Sequence, residues 1–235
     1  MIYTEHSPIA GCNVTDRKSE DKKREARHLG LSPFDYLFPA MQTNPAYELL
    51  RQFASPVVAI TSRSGDRPNG MISDSAIRAS ISPNTPRLGV YIHKWHLSHD
   101  MIWHSGRLCI HLLNQTNLPL VYQLGFHSGR EHPEKLTPVP RRDGTLGLPV
   151  ITTAHAAFEL EVVNTMDVGY ATHFLGDVRA FHPLVPGEIL TAPWLRANLP
   201  PEWQDAFAEN YRKAQAYIDT HSAIEPRTWS GPAGS

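Results

Sequence analysis

Residues 57–70, VVAITSRSGDRPNG, decide how this chain folds. The opening VVAIT is a short β-branched run, the composition that favours extended backbone over helix. It ends in polar residues and two turn signals, Gly65-Asp66 and Asn69-Gly70, so the chain is predicted to reverse into a β-hairpin here. Residues 88–92 (LGVYI) and 108–113 (LCIHLL) read as further strands. Between them Ser98 is placed to cap a short helix carrying Met101 and Ile102, which Gly106 stops.

The pattern continues outward from that centre. Residues 118–126 read as a helix, and 130–148, rich in Pro, Gly and charge, as a long surface excursion of the kind that borders sites. Residues 157–163 and 173–181 alternate as a strand pair joined by a link at 164–172. Trp203, Ala206, Phe207, Tyr211, Ala214 and Ile218 recur at helical spacing and predict a C-terminal amphipathic helix packed back on the body. Upstream, Asn44-Pro45 begins a short helix with Tyr47, Leu50 and Phe53 as its apolar stripe. Residues 1–40, with the charge-dense run 16–27, form a polar N-terminal extension. Many strands with few helices give a mainly β fold with peripheral helices, one domain over residues 41–235.

Composition narrows the function. Lys plus Arg total 22 against 23 Asp plus Glu, so no positive field gathers nucleic acid or an anionic membrane surface. No apolar run approaches the roughly 20 residues that span a bilayer. Cys12 and Cys109 have neither zinc nor redox spacing, and the chain opens without the basic and apolar stretch of a secretory signal, so a reducing cytoplasm is the expected setting. No glycine-rich nucleotide fingerprint follows a strand, and no Gly-x-Ser-x-Gly elbow occurs. His93, His96, His99 and His104 invite a metal reading, but no carboxylate accompanies them at metal-site spacing and none is assigned.

Residues 56–81, PVVAITSRSGDRPNGMISDSAIRASI, resemble the opening of the flavin reductase-like family. In that family a strand, a turn ending in Asn-Gly-Met and a Ser-rich strand line the isoalloxazine ring. Residues 91–102 (YIHKWHLSHDMI), 105–108 (SGRL), Val168-Gly169 and 174–178 (FLGDV) are similar to its later motifs, in its order. The resemblance implies a split β-barrel that binds FMN, paired as a homodimer because the family's flavin sites lie where two barrels meet. The physical chemistry of the residues fits. Ile72, Ser73, Asp74 and Ser75 offer small and polar groups to the ring edge, and Arg78 and Ser80, continuing the same strand, point toward ribityl or phosphate oxygens. His93, Lys94, Trp95, Ser98 and His99 surround a capped helix N-terminus suited to phosphate.

The resemblance also implies an enzyme: FMN takes a hydride from NADH or NADPH and passes electrons to a second flavin, an acceptor protein or a small-molecule substrate. Family members that reduce free flavin carry Gly-Asp-His before the closing strand, where this chain has Gly169-Tyr170-Ala171. His173 lies on the same strand face as Ala171, about 7 Å further on. Tyr170 and His173 are therefore the candidate catalytic groups beside the ring. Three alternatives stay open: an FMN enzyme dedicated to one metabolite, a flavin-binding electron carrier without a nicotinamide site, which the missing histidine chiefly supports, and a cofactor-free or metal-binding barrel that keeps the fold and has lost flavin.

Overall fold

The computed structural model of the protein describes residues 55–226 together with Leu50 and Phe53. The N-terminal extension and most of the helix predicted from Asn44 lie outside the described residues. Nine strands and four α-helices are described. In chain order they are β1 (Val58–Ser64), β2 (Arg67–Ser73), β3 (Ile77–Arg78), β4 (Arg87–His93), α1 (Leu97–Ser105), β5 (Arg107–Leu112), α2 (Leu118–Gly125), β6 (Arg141–Asp143), β7 (Pro149–Ile151), β8 (Ala156–Asp167), β9 (Ala171–Pro183), α3 (Ala192–Ala197) and α4 (Gln204–His221).

Seven strands form one antiparallel sheet in the order β2-β1-β5-β8-β9-β4-β3. Chain connectivity forces it to curl. β2 and β3 are its two edges, which a flat sheet would hold about 29 Å apart at about 4.8 Å per strand. Only residues 74–76 join them, a reach of roughly 14 Å. The sheet therefore bends its edges toward each other into the predicted split barrel. The Ser75 hydroxyl secures the crossing, donating to the Tyr91 carbonyl at 2.8 Å and accepting from the Tyr91 N–H at 3.2 Å.

β1 explains why residues 57–60 (VVAI) are apolar at every position: both its faces are buried. Val58 and Ile60 face the barrel interior with Val90, Ile92, Ile102, Ile110, Leu160 and Phe174. Val57 and Ala59 join a second core with Val121, Leu124, Leu136 and Ile151, under α2 and the excursion that follows it. The predicted hairpin turns at Gly65-Asp66, with Gly65 at φ 56°, as a two-residue loop led by glycine favours.

The second turn signal is corrected. Asn69-Gly70 lies inside β2, Gly70 paired with Thr61, and the glycine there makes room for α2 and the loop beyond it, since a Cβ would stand 3.2 Å from both Leu124 and Leu136. The Ser-rich strand is also shorter than predicted: it ends at Ser73, and Arg78 belongs to a separate strand on the opposite edge. The link in the closing pair shrinks to residues 168–170, since β8 and β9 extend well beyond the predicted stretches. The excursion is partly structured, with the β6–β7 hairpin and buried Leu136 and Val139. The C-terminal helix forms as predicted, and the single turn before it stacks Trp203 on Tyr122 at 4.8 Å.

Candidate functional site

A cavity of about 510 Å³ opens where the end of β2 crosses to β3. β2 and the crossing segment supply Met71, Ile72, Ser73, Asp74 and Ser75. β4 supplies Tyr91 and His93, which point away from the barrel because Val90 and Ile92 point in. The β4–α1 loop adds His96, and the β8–β9 turn adds Tyr170.

The polar wall consists of hydroxyls, imidazoles and the Asp74 carboxylate. Ser73 and Ser75 hydroxyls are 2.8 Å apart, and the Ser75 N–H donates to Ser73 Oγ at 3.2 Å. The rings of His93 and His96 stack at 5.5 Å, 7° from parallel, and Tyr170 meets His93 edge-on at 5.2 Å. The buried Nδ1 atoms of both histidines lack a hydrogen-bond partner. Burial lowers the pKa of His93, opposed in part by Asp74. Burial also takes His96 down to about 3, helped by His93, Lys135, His99 and Arg130 nearby. Both imidazoles are therefore neutral at pH 7 and offer unpaired nitrogens rather than positive charge.

Of the residues singled out from the sequence, Ile72, Ser73, Asp74, Ser75, His93 and Tyr170 meet at this cavity. Arg78 is exposed on β3 opposite Leu88, three residues along β4 from Tyr91, or about 10 Å. Ser80 lies beyond it and accepts from the Ser82 N–H. Lys94 Nζ donates to both carboxylate oxygens of Asp167, at 2.8 and 2.9 Å. This bond and one from the Gly169 N–H hold the Asp167 carboxyl below its usual range.

Ser98 is not the helix cap. α1 starts after His96, which makes no side-chain capping bond, while Ser98 is buried in the first turn and accepts from Asn69 Nδ2 at 2.8 Å. The stop at Gly106 stands, with φ 66°. His99 turns inward, its Nε2 2.9 Å from the Thr172 hydroxyl. Trp95 stacks between His96 at 5.5 Å and Tyr217 of α4 at 5.3 Å. His173 leaves the cavity to its neighbours: its ring lies across Gly89, where a Cβ would be 2.4 Å from Nε2, and against Tyr91 at 4.7 Å. Burial lowers the His173 pKa, and its Nε2 has no partner.

The sequence reading missed Met71, Tyr91 and His96 as lining groups. The parity of His93 on its strand was the available signal for Tyr91, two residues earlier on the same face. Among the described residues no group of three His, Cys, Asp or Glu side chains is arranged to hold a metal ion.

The family profile described as "Flavin reductase like domain" matches residues 50–191. The chain belongs to the flavin reductase-like family. All the cavity-lining residues fall within that segment, whereas α3 and α4 lie beyond it. Among curated proteins, a high molecular weight rubredoxin of Moorella thermoacetica is 31% identical over 134 residues, 56% of this chain and 57% of that protein. An uncharacterized protein of Aeropyrum pernix is 31% identical over 140 residues, 57% of this chain and 52% of its own. The chain thus spans little more than half the length of the curated relatives it matches.

Solved structures give the same fold. An FMN-binding protein from Thermus thermophilus with bound 1-cyclohex-2-enone superposes with TM-score 0.53 at 25% identity, over 61% of this chain and 78% of its own. An NADH:FAD oxidoreductase of Streptomyces globisporus gives 0.54 at 23% identity, over 65% and 92%. Among the described residues no helix is long and apolar enough to cross a membrane.

Proposed function

We propose that the protein is an FMN-dependent oxidoreductase that accepts a hydride from NADH or NADPH in the cavity between β2, β4 and the β8–β9 turn. The observation that carries this is the cavity's polar wall. Its volume of about 510 Å³ lies within the usual range for small-molecule sites, and its hydroxyls and unpaired imidazole nitrogens suit the edge of a polar aromatic ring. Membership of the flavin reductase-like family supports flavin chemistry on this fold.

The residues fit FMN in two parts. Ile72 gives apolar cover and Ser73, Asp74 and Ser75 give polar groups for the ring, beside Tyr91, His93 and His96. The N-terminus of α1, with no side-chain cap, leaves N–H groups for the phosphate, and Lys94, in the loop before it, would exchange its pair with Asp167 for that phosphate. Two-electron hydride chemistry is what FMN held there would supply. Tyr170 lines the cavity, and its hydroxyl would donate a hydrogen bond to a reacting group there. His173, packed on Gly89 and Tyr91, acts by setting the Tyr91 ring.

A second copy of the chain is the proposed partner. Met166 stands opposite His173, and Ile77 opposite Gly89, so both share the outer face that carries Tyr91 and His173. They are 51% and 44% exposed, an apolar face beside the cavity suited to a homodimer contact.

A second reading is favoured by one observation: His173, the nearest substitute for the family's missing histidine, is held against Gly89 rather than in the cavity. That suits a flavin-bound electron carrier with no nicotinamide site. Stopped-flow mixing of the FMN-loaded protein with NADH and with NADPH separates the two. The oxidoreductase reading expects rapid loss of the flavin absorption band with one of them, and a band unchanged with both would refute it.

A further inference from the structure

We infer that Tyr217, on the C-terminal helix α4, is a positioning residue of the cavity, holding His96 and His93 in place through its stack on Trp95. α4 lies outside the segment that matches the family, so this contact belongs to the chain's own C-terminal part.

Four rings join the helix to the cavity. Tyr217 stacks on Trp95 at 5.3 Å, Trp95 meets His96 at 5.5 Å, and His96 stacks on His93 at 5.5 Å. The last two of these, His96 and His93, line the cavity. Hydrogen bonds would ordinarily fix such rings, but the buried nitrogens Trp95 Nε1, His96 Nδ1 and His93 Nδ1 have no partner. Ring-on-ring packing is what remains to set their planes. The stack is then only as well placed as its outer member, and Tyr217 is anchored by the helix.

The same helix end reaches the cavity's other flank. A Cβ on Gly169 would stand 2.6 Å from the His221 carbonyl oxygen, so the end of α4 rests directly on the turn that delivers Tyr170. His221 also stacks on Tyr217 at 4.0 Å. One helical turn thus touches two of the three connecting segments that bring side chains to the cavity, the β4–α1 loop and the β8–β9 turn. Ala208 is the one buried residue of α4, and Phe207 adds a contact with Phe126 at 6.0 Å.

The effect on flavin rests on the function proposed above, but the ring positions do not, and the test separates them. Tyr217→Ala removes the ring, Tyr217→Leu removes it while keeping bulk, and Tyr217→Phe keeps it. In the full chain without ligand, the His93 and His96 ring resonances should move in the Ala and Leu variants and stay in place in the Phe variant. FMN affinity, read by fluorescence titration, should fall about 2- to 12-fold in the first two and hold in the third. Ring resonances equal to the parent protein's in the Ala and Leu variants would overturn the inference. Shifted resonances in a protein that binds no FMN would leave it standing and refute the flavin reading instead.

Discussion

Gly89→Ala tests the packing beside the cavity most sharply. The added Cβ would sit 2.4 Å from His173 Nε2, and ordinary contact begins near 3.4 Å, so the imidazole must withdraw by about 1 Å. The atom struck is the far end of a side chain, so the ring swings out and the strand holds. Losing the Tyr91–His173 contact costs about 0.5–1.5 kcal/mol. Gly89 has no positive φ, so alanine is tolerated there and recovers about 0.4–1 kcal/mol by restricting the unfolded chain. The two nearly cancel, and stability should change by less than about 1 kcal/mol.

The titration of His173 should change clearly. Burial holds its pKa below the ordinary value of 6.5, and a ring released to solvent returns toward it. A depressed pKa means that the unfolded chain binds more protons than the folded one as pH falls below 6.5, so this group withdraws stability on acidification. The variant should therefore lose less stability than the parent protein between neutral and mildly acid pH. Histidine NMR titration with chemical denaturation at two pH values reads both effects. An unchanged His173 titration, or a loss of several kcal/mol, would refute the reasoning.

Glu159, fully buried, accepts from the Thr145 and Leu146 N–H groups, each at 2.7 Å, and from His182 Nε2 at 2.8 Å, so Glu159→Gln places an amide against donors. It should cost about 3 kcal/mol, a fall in Tm of roughly 6–12 °C by calorimetry. His111 is fully buried with its pKa lowered to about 4, donor and acceptor both used on Ala59 and Ile151, so denaturation should show stability falling as pH drops from 6.5 toward 4, by up to about 1.4 kcal/mol per unit. Met166→Asp puts charge on the exposed apolar face and should convert a dimer to monomer in sedimentation, while a parent protein that is already monomeric would remove that face as an interface.

The parts of the fold that local chemistry governs were legible in the sequence. VVAIT had to be a buried strand, Gly65-Asp66 had to turn, and Gly106 had to stop a helix. What was not legible depends on contacts between distant segments. Asn69-Gly70 has the composition of a turn, yet its glycine serves the approach of Leu124 and Leu136 from α2 and the loop beyond it. The break after Ser73 carries no Gly or Pro, so the Ser-rich run read as one strand. What ends it is the closure of the barrel, with Ser75 bonding to β4.

The site divides along the same line. Ile72 to Ser75 and His93 were legible because strand parity and family order coincide there. Parity also set the face of His173, but Gly89, on another strand, decides where its ring lies. His96 drew notice as a metal candidate, and only the folded structure shows it in the cavity wall, in contact with Trp95, which stacks on Tyr217. That stack joins segments more than a hundred residues apart, beyond any local pattern.

The central claim is that the wall formed by residues 72–75 with Tyr91, His93 and His96 receives the flavin ring. Crystals of the full chain grown with FMN test it most directly. The account predicts difference density for a tricyclic ring against Ser73–Ser75, with the phosphate toward the start of α1. Ring density at another surface, or none in crystals where this cavity is open to solvent, would contradict it.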